Sequence, residues 1–323
     1  QARQATLQGL KNDPALRQSL VALLGDFAKR ETYLYQLLFG TFLGMFGSKA
    51  NEMEVEGFGY EAYLEGTRSL NLVTDRAKHF PPTGLAHLDD RIQSIAGFAE
   101  TRGYRLTRGP VYRAEKGIIT REEKHWWTPC VRFIPSLFKP LWLVAFVVFL
   151  LITAEFVPLL LDMVAGIVGT FWIFLFPLAL LYIPIVGGFD RDGCIYPFRD
   201  ALKALPEVHQ LLDDIGHLDT LLALLDYAET QVHAVTLPNV SDAKPLSIKL
   251  KGVRNPILAA TSKAYVGNDI DLTTSRLTLI TGPNSGGKTA FCKTLAQSQV
   301  LAQIGSFILA DEASLSIADR IFH

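Results

Sequence analysis

Residues 282–289 form a glycine-rich run, Gly-Pro-Asn-Ser-Gly-Gly-Lys-Thr, between an alternating apolar segment and a helical one. The alternation of Arg276-Leu-Thr-Leu-Ile280 predicts a strand, and residues 290–304, followed by Gly305, predict a helix. A glycine, four intervening residues and then Gly-Lys-Thr, set between a strand and a helix, are typical of a phosphate-binding loop. This order of elements predicts an α/β nucleotide-binding unit; a glycine turn with an unrelated lysine is the alternative.

The residue types in this loop match the needs of a bound triphosphate. Glycines let backbone N–H groups approach the phosphates, because they lack a Cβ and adopt φ/ψ values that are closed to other residues. We predict catalytic roles for Lys288, which would reach the β- and γ-phosphates, and for Thr289, which would hold Mg²⁺ at the helix N-terminus. The residues predicted to contact ATP are Gly282, Pro283, Asn284, Ser285, Gly286, Gly287, Lys288, Thr289 and Ala290.

The composition limits the class of protein. The chain has 323 residues, of which 49% are hydrophobic, and a formal net charge of −1. A nucleic-acid-binding protein usually carries a basic excess or stripe, so the balanced charge weakens a DNA-binding interpretation without excluding it. The cysteines lie far apart in the sequence and lack the spacing of metal ligands, so we expect them to be reduced thiols. Because reduced thiols are typical of the cytoplasm, we expect the ATP site to face the cytoplasm. The cysteines are Cys130, Cys194 and Cys292.

The two ends of the chain predict a fragment of a longer protein. It begins with Gln1 rather than Met and ends at His323, soon after the loop's helix. A complete nucleotide-hydrolysing domain needs an acidic motif on a later strand. An apolar run ending in Asp311-Glu312 resembles such a motif, but it comes only 23 residues after Lys288, so we give these carboxylates no catalytic role. We therefore expect ATPase activity of the complete protein and leave it open for this chain.

An apolar block from 141 to 186 predicts a transmembrane helical hairpin. Its 46 residues contain only two charges, Glu155 and Asp162. A span needs roughly 20 residues to cross a hydrocarbon core of ~30 Å, so 141–157 and 164–186 would serve, with the turn at 158–163. The alternative is a buried helical hairpin in a large soluble core. Glu155 is either an intramembrane functional carboxylate or a residue near the far interface.

The charges around this block predict its orientation. Lys and Arg residues precede and follow it, whereas its tip has none, so both ends are expected to face the cytoplasm. These features predict a multi-pass protein of the cytoplasmic (inner) membrane, with the lipid bilayer as a partner and the ATPase domain facing the cytoplasm.

Apolar periodicity predicts long helices on both sides of the block. One helix is expected to start at Asp13-Pro14, with apolar residues recurring to Leu37, and a second to run from Leu85 to Arg102. A third opens at Pro206 with heptad-like steps, and Leu246-Ser-Ile-Lys-Leu250 alternates as a strand. The apolar stripe of each helix indicates core packing.

Several motifs follow one another in a recognisable order. The loop 281–289 is followed by Leu301-Ala-Gln-Ile-Gly305 and by Ala318-Asp-Arg-Ile-Phe322, and it is preceded by Arg254-Asn-Pro-Ile-Leu258 and by a helix over 218–228. This order resembles the ATPase domain of MutS-type DNA mismatch-repair proteins. The resemblance is dense from about 205 to 322 and looser over the helices before Gly103.

The resemblance implies an ABC-like ATPase that uses ATP and Mg²⁺ and forms a homodimer through its ATPase domain; it leaves DNA open as a partner. Two departures are evident. The family's Ser-Thr after the loop lysine is Thr289-Ala290 here, which keeps the magnesium hydroxyl. The mismatch-reading domain has no counterpart, and the apolar block stands where the DNA-clamp segment would be, which puts mismatch recognition in doubt.

The expected fold class is α plus α/β, a helical core and lever region with an inserted two-helix transmembrane hairpin, followed by the start of a P-loop (ABC-like) NTPase domain. The expected domains are 1–135 (core and lever helices), 136–190 (hairpin), 191–240 (returning lever helices) and 241–323 (first part of the ATPase domain). The predicted function is that of a membrane-tethered, ATP-binding MutS-related protein of DNA-repair type, in which nucleotide state moves the lever helices. A sensor of mismatched or branched DNA and a membrane scaffold with an inactive nucleotide domain are the alternatives.

Overall fold

The structure is a computed structural model that describes residues 1–45, 47, 53–156, 171–242, 244, 246–260, 262–274, 277–283 and 286–321. The chain forms two compact units, each built from separate stretches. The first contains Gln1–Val21, Pro81–Arg91 and Ile215–His323, and the second contains Ala22–Phe80 and Ile92–Asp214.

Helices dominate the described residues. They are α1 (Ala2–Asn12), α2 (Pro14–Ala28), α3 (Glu31–Phe39), α4 (Tyr60–Lys78), α5 (Ala86–Gly97), α6 (Arg102–Arg108), α7 (Pro140–Phe156), α8 (Phe171–Asp190), α9 (Tyr196–Lys203), α10 (Pro206–Thr230) and α11 (Lys288–Gln303). The strands are β1 (Thr41–Phe42), β2 (Glu54–Val55), β3 (Val111–Ala114), β4 (Gly117–Thr120), β5 (Cys130–Arg132), β6 (Asn239–Ser241), β7 (Ile248–Val253), β8 (Asn268–Asp271) and β9 (Glu312–Ser316).

The first unit is built around a four-stranded sheet in the order β6-β9-β7-β8. β6 is parallel to β9, whereas β7 is antiparallel to both of its neighbours. In β7 the buried Leu250 alternates with the exposed Lys249 and Lys251, as expected for a sheet with one face in the core. The core between this sheet and α11 contains Leu250, Val253, Ile270, Ala302, Ile308, Ala310 and Leu315. The strand predicted over 246–250 is confirmed from Ile248 onward, and it extends to Val253.

Gly252 allows an irregularity in the central strand of this sheet. The pairing of β7 with β8 shifts between Leu250 and Val253, and Gly252 has a φ of +60° there. Its N–H donates to Asp269 Oδ1 at 2.7 Å, and a Cβ at this position would overlap the Asp311 carboxylate. Both the backbone conformation and the close approach therefore require glycine.

Gly252→Ala is expected to lower the free energy of unfolding by about 2 kcal/mol, because a left-handed residue with a Cβ costs ~1–2 kcal/mol and Asp311 must also move. Urea unfolding measures the effect. Lys251→Ala is the control at the exposed neighbouring position, where we expect a change within about 0.5 kcal/mol. Equal losses in the two variants would contradict the conformational argument.

The first predicted helix starts as expected but is divided in two. Asp13 Oδ1 accepts the backbone N–H of Leu16 at 2.9 Å, which confirms the N-cap. α2 ends at Ala28 and α3 begins at Glu31, so the continuous helix to Leu37 was wrong. Between them Arg30 adopts a φ of −120°, and its guanidinium pairs with Glu65 at 2.6 Å.

The other two helix predictions hold in outline. α5 ends at Gly97 and continues as a 3₁₀ turn to Glu100, while Gly103 lies inside α6 instead of stopping a helix. α10 begins at Pro206 as predicted. Its buried side chains recur at steps of three and four residues, as the heptad-like pattern predicts. The fully or nearly buried set is Val208, Leu211, Ile215, Leu218, Leu221 and Leu225.

The second unit packs helices around a three-stranded antiparallel sheet, β4-β3-β5. Tyr63 of α4 lies edge-on to Phe133 and Phe198, with ring centroids 5.1 and 4.8 Å away. A Cβ on Gly66 would lie 3.2 Å from the backbone of Leu34, so this glycine permits the close approach of α3 and α4. These contacts form an aromatic and aliphatic core within the unit.

The transmembrane hairpin predicted over 141–186 was wrong. Across the described ranges, no helix combines the length and the apolar character that crossing a bilayer requires. α8 has 20 residues, but Tyr182, Val186 and Asp190 in its last turns are buried in the second unit.

Other predictions depended on this hairpin. The location in the cytoplasmic membrane, with the ATPase domain facing the cytoplasm, was wrong as well, and the lipid bilayer is withdrawn as a partner. The turn predicted over 158–163 lies outside the described residues. Glu155 falls in the last turn of α7, and both roles predicted for it required a bilayer, so neither is retained.

Candidate nucleotide-binding site

The predicted phosphate loop leads directly into a helix. α11 begins at Lys288, and Gly287 is its N-cap with a φ of +75°. Gly282 also has a positive φ, +149°. No side chain among the described residues caps α11, so its first N–H groups remain available to a ligand. Asn284 and Ser285, two of the predicted contacts, lie outside the described residues.

Lys288 is folded back across the loop. Its Nζ donates to the carbonyl oxygens of Gly282 and Pro283, each at 2.6 Å. The N–H of Gly286 donates to Pro283 O at 3.0 Å, and a Cβ on Gly286 would lie 3.1 Å from that oxygen. The turn thus places an ammonium above a tight glycine cradle, and this arrangement fits a phosphate.

Thr289 is the second residue of α11 and is exposed, and Ala290 follows it. Among the described residues, no group of three His, Cys, Asp or Glu side chains could hold a metal ion. Mg²⁺ is usually bound through one or two protein groups together with substrate phosphates and water. A Mg²⁺ held by Thr289 would therefore depend on the phosphates for most of its ligands.

The strand predicted before the loop is not formed in the described residues. Residues 277–283 have no regular secondary structure, and Arg276 lies outside the described ranges. Leu277 and Leu279 are 90% and 86% exposed, although their alternation is that of a strand. A strand requires hydrogen-bonded neighbours, and the sheet of the first unit does not include this segment.

Asp311 and Glu312 form ion pairs on the sheet. Asp311 lies 3.5 Å from the Arg254 guanidinium, and Glu312 lies 3.4 Å from Lys251 Nζ. Glu312 begins β9, whose neighbours are β6 and β7 rather than the segment before the loop. This placement gives no support for a hydrolytic role, and their exclusion from catalysis stays a prediction.

Asn255 is a site-positioning residue whose role the sequence did not reveal. Its buried amide donates to Thr294 Oγ1 at 3.2 Å and to Gln297 Oε1 at 2.9 Å, both on α11. Its Oδ1 accepts the N–H groups of Ile257 and Leu258, each at 3.0 Å. Asn255 thereby fixes the loop after β7 to the helix that follows the phosphate loop.

Arg3 was also missed. Its guanidinium donates to Ile304 O at 2.8 Å, at the C-terminal end of α11, although the two residues are 301 positions apart. A cation at this end is favourable for the helix dipole. No local sequence pattern could have indicated the contact.

A cavity in the described part of the first unit does not include the loop. Its volume is about 550 Å³, and it lies on the exposed face of the sheet. The lining includes Lys251 and Glu312, which pair with each other, and Lys249, which lies opposite Asp271. Because these charges compensate across strands, the cavity is a solvated sheet face, and the loop remains the candidate site.

Comparisons with known proteins place the loop in one family. The model of MutS domain V matches residues 278–323. The DNA mismatch repair protein MutS of Shouchella clausii is 41% identical over 118 residues, and that of one strain of Prochlorococcus marinus is 39% identical over 124 residues. Each match covers 36% of this chain and 13% of the relative. The DNA mismatch repair protein MSH3 of Kluyveromyces lactis is 34% identical over 124 residues, which are 36% of this chain and 11% of the relative.

Proposed function

We propose that the chain is a MutS-related protein that binds ATP through residues 282–289, and that the complete protein hydrolyses ATP in the service of DNA repair. One observation carries the proposal. Lys288 lies across a glycine cradle at an uncapped helix N-terminus, inside the segment that the MutS domain V model matches.

Each residue of the loop has a proposed part in holding the nucleotide. The N–H groups of Gly287 and of the start of α11 would donate to phosphate oxygens, and the Gly286 N–H and Lys288 Nζ would exchange their present carbonyl partners for them. Thr289 would hold Mg²⁺ through its hydroxyl, with Ala290 beside it offering no second hydroxyl. ATP supplies the phosphoanhydride whose cleavage releases free energy. The remaining proposed contacts are Gly282, Pro283, Asn284 and Ser285.

The first unit offers a route by which nucleotide state could reach the helices. α11 has the phosphate loop at one end and the bond from Arg3 of α1 at the other. Arg17 of α2 in turn pairs with Asp226 at 2.6 Å and with Glu229, both on α10. A small displacement of α11 on nucleotide binding would therefore act on α1 through the bond from Arg3. The next helix in the chain, α2, is joined to α10 by the ion pairs of Arg17.

The complete protein is proposed to act as a homodimer through its ATPase domain and to bind DNA. The support is the similarity, over 118–124 residues, to relatives that are DNA mismatch repair proteins. The formal net charge of −1 means that a DNA-binding surface would have to come from local clusters of Lys and Arg.

The proposal predicts that the complete protein binds a duplex with a mismatch more tightly than the matched duplex, and that ATP changes this difference. Fluorescence anisotropy with both duplexes at several salt concentrations measures it, because phosphate contacts give a linear loss of log affinity with log salt. Equal affinity for both duplexes with intact ATP hydrolysis would remove the mismatch-repair function and leave the ATPase. Absence of ATP binding would remove the proposal as a whole.

A further inference from the structure

The second unit contains a cavity of about 470 Å³ that the proposed function does not use. Its lining residues lie between Arg113 and Cys194, outside the 278–323 segment that the family model matches. The volume falls within the ~300–1,000 Å³ of typical small-molecule sites. We propose that this cavity binds a small amphipathic anion, namely a carboxylate on an aromatic or aliphatic body.

The walls provide a site for an apolar body. Trp142 at the start of α7 and Phe189 at the end of α8 lie with their ring centroids 5.4 Å apart. Phe138, also in the lining, is 71% exposed, and Trp142 is 40% exposed. Phe133 is buried and closes the inner side. Aromatic surface that remains accessible inside a concavity favours a ligand that can stack against it.

The charges of the lining favour a negative head group. Lys139 is neutralised by Asp190, to whose two carboxylate oxygens its Nζ donates at 2.6 Å each. Arg113 on β3 lies opposite Val131, which also lines the cavity, and it has no ion pair with an acidic side chain in the part of the chain that the structure describes. Arg132 on β5 lies opposite Tyr112, so its side chain projects from the other face of the sheet. One guanidinium group on the cavity side thus remains uncompensated. Arginine binds carboxylates through paired N–H groups, so the head group is assigned as a carboxylate.

The inner end of the cavity adds no competing negative charge. Asp190 is occupied by Lys139 and by the Tyr60 hydroxyl, which donates to its Oδ2 at 2.5 Å. Burial, followed by the nearby Asp190 carboxylate, raises the pKa of the Cys194 thiol to about 11, so this thiol is neutral near pH 7. The net electrostatic preference of the lining is therefore for an anion.

The test compares two probes with the same ring system, 2-naphthoate and the neutral 2-naphthalenemethanol, by calorimetric titration of the complete protein. Naphthoate is expected to bind about tenfold more tightly, the ratio that corresponds to ~1.4 kcal/mol. Arg113→Gln is expected to abolish this preference, whereas Phe138→Ala weakens the binding of both probes. Trp142→Phe is expected to remove most of the tryptophan quenching that accompanies binding.

Two controls locate the effect. Arg121→Gln changes an exposed arginine outside the lining and is expected to leave both affinities unchanged, and ATP is expected not to compete with naphthoate. Because Phe138 and Arg113 lie at the surface of the cavity, their variants should keep the parent's circular dichroism spectrum. Equal affinities for the two probes, a preference that survives in the Arg113→Gln variant, or no binding of naphthoate at millimolar concentration would each overturn the proposal.

Discussion

Replacing Lys288 with alanine is expected to weaken ATP binding about 100-fold while changing the free energy of unfolding by less than about 1 kcal/mol. A charged hydrogen bond to a phosphate contributes ~1.5–3 kcal/mol, which accounts for the loss of affinity. The two carbonyl oxygens that now accept from Lys288, those of Gly282 and Pro283, are in an exposed loop where water can replace the ammonium. This variant should therefore lose ATP affinity while keeping its free energy of unfolding.

The measurement is calorimetric or fluorescence titration with ATP in the presence of Mg²⁺, together with urea unfolding. Lys293→Ala is the matched control, since Lys293 is an exposed lysine on the same helix and its loss should leave ATP affinity unchanged. Lys288→Arg is expected not to restore binding, because the planar guanidinium does not fit where a compact ammonium does. ATP affinity that survives Lys288→Ala would exclude the loop as the site.

The sequence predicted the loop and its helix because their determinants are local. The glycines, Lys288 and Thr289 are contiguous, and a pattern that is fixed by a single turn can be read without knowing the rest of the fold. The strand before the loop could not be predicted in the same way. Leu277 and Leu279 alternate as strand residues do, yet forming a strand depends on a neighbouring strand, and alternation carries no information about that neighbour.

The predicted hairpin failed for a different reason. Hydropathy reports apolar surface that avoids water, but it does not distinguish a lipid environment from a protein interior. Tyr182 and Val186 of α8 are buried against protein, and Lys139 and Asp190 form their ion pair at the base of the two apolar helices. The C-terminal part of α8 therefore packs against protein, whereas described side chains of α7 such as Val144 and Phe149 are exposed.

Long-range contacts account for the site residues that were missed. Asn255 was recognised only as part of a loop, and its bonds to Thr294 and Gln297 join residues about 40 positions apart. Arg3 lies in α1, before the first helix that the sequence predicted, and it reaches the far end of α11. Such positions are set by tertiary packing and can be found only once the fold is known.

The Lys139–Asp190 ion pair is deeply buried. The side chains of Lys139 and Asp190 are 12% and 2% exposed, and two hydrogen bonds of 2.6 Å join them. Burial, and then the hydrogen bond to Asp190, raises the pKa of Tyr60, so its hydroxyl keeps the proton that it donates to this carboxylate. Asp190 thus satisfies an ammonium and a phenol at the point where α7 begins and α8 ends.

Asp190→Ala is expected to lower the free energy of unfolding by ~3–5 kcal/mol, because it leaves the Lys139 ammonium buried without a counter-charge. Urea unfolding at neutral pH measures the loss. Asp192→Ala is the matched control, since its ion pair with Arg191 is 2.7 Å long but its side chain is 58% exposed, and a loss below ~1 kcal/mol is expected.

The double variant Lys139→Met with Asp190→Leu removes both charges and should recover more than half of the lost stability, since apolar replacements of a buried pair are often neutral. Similar losses in the Asp190 and Asp192 variants, or no recovery in the double variant, would show that burial of the charge is not what makes Asp190 important.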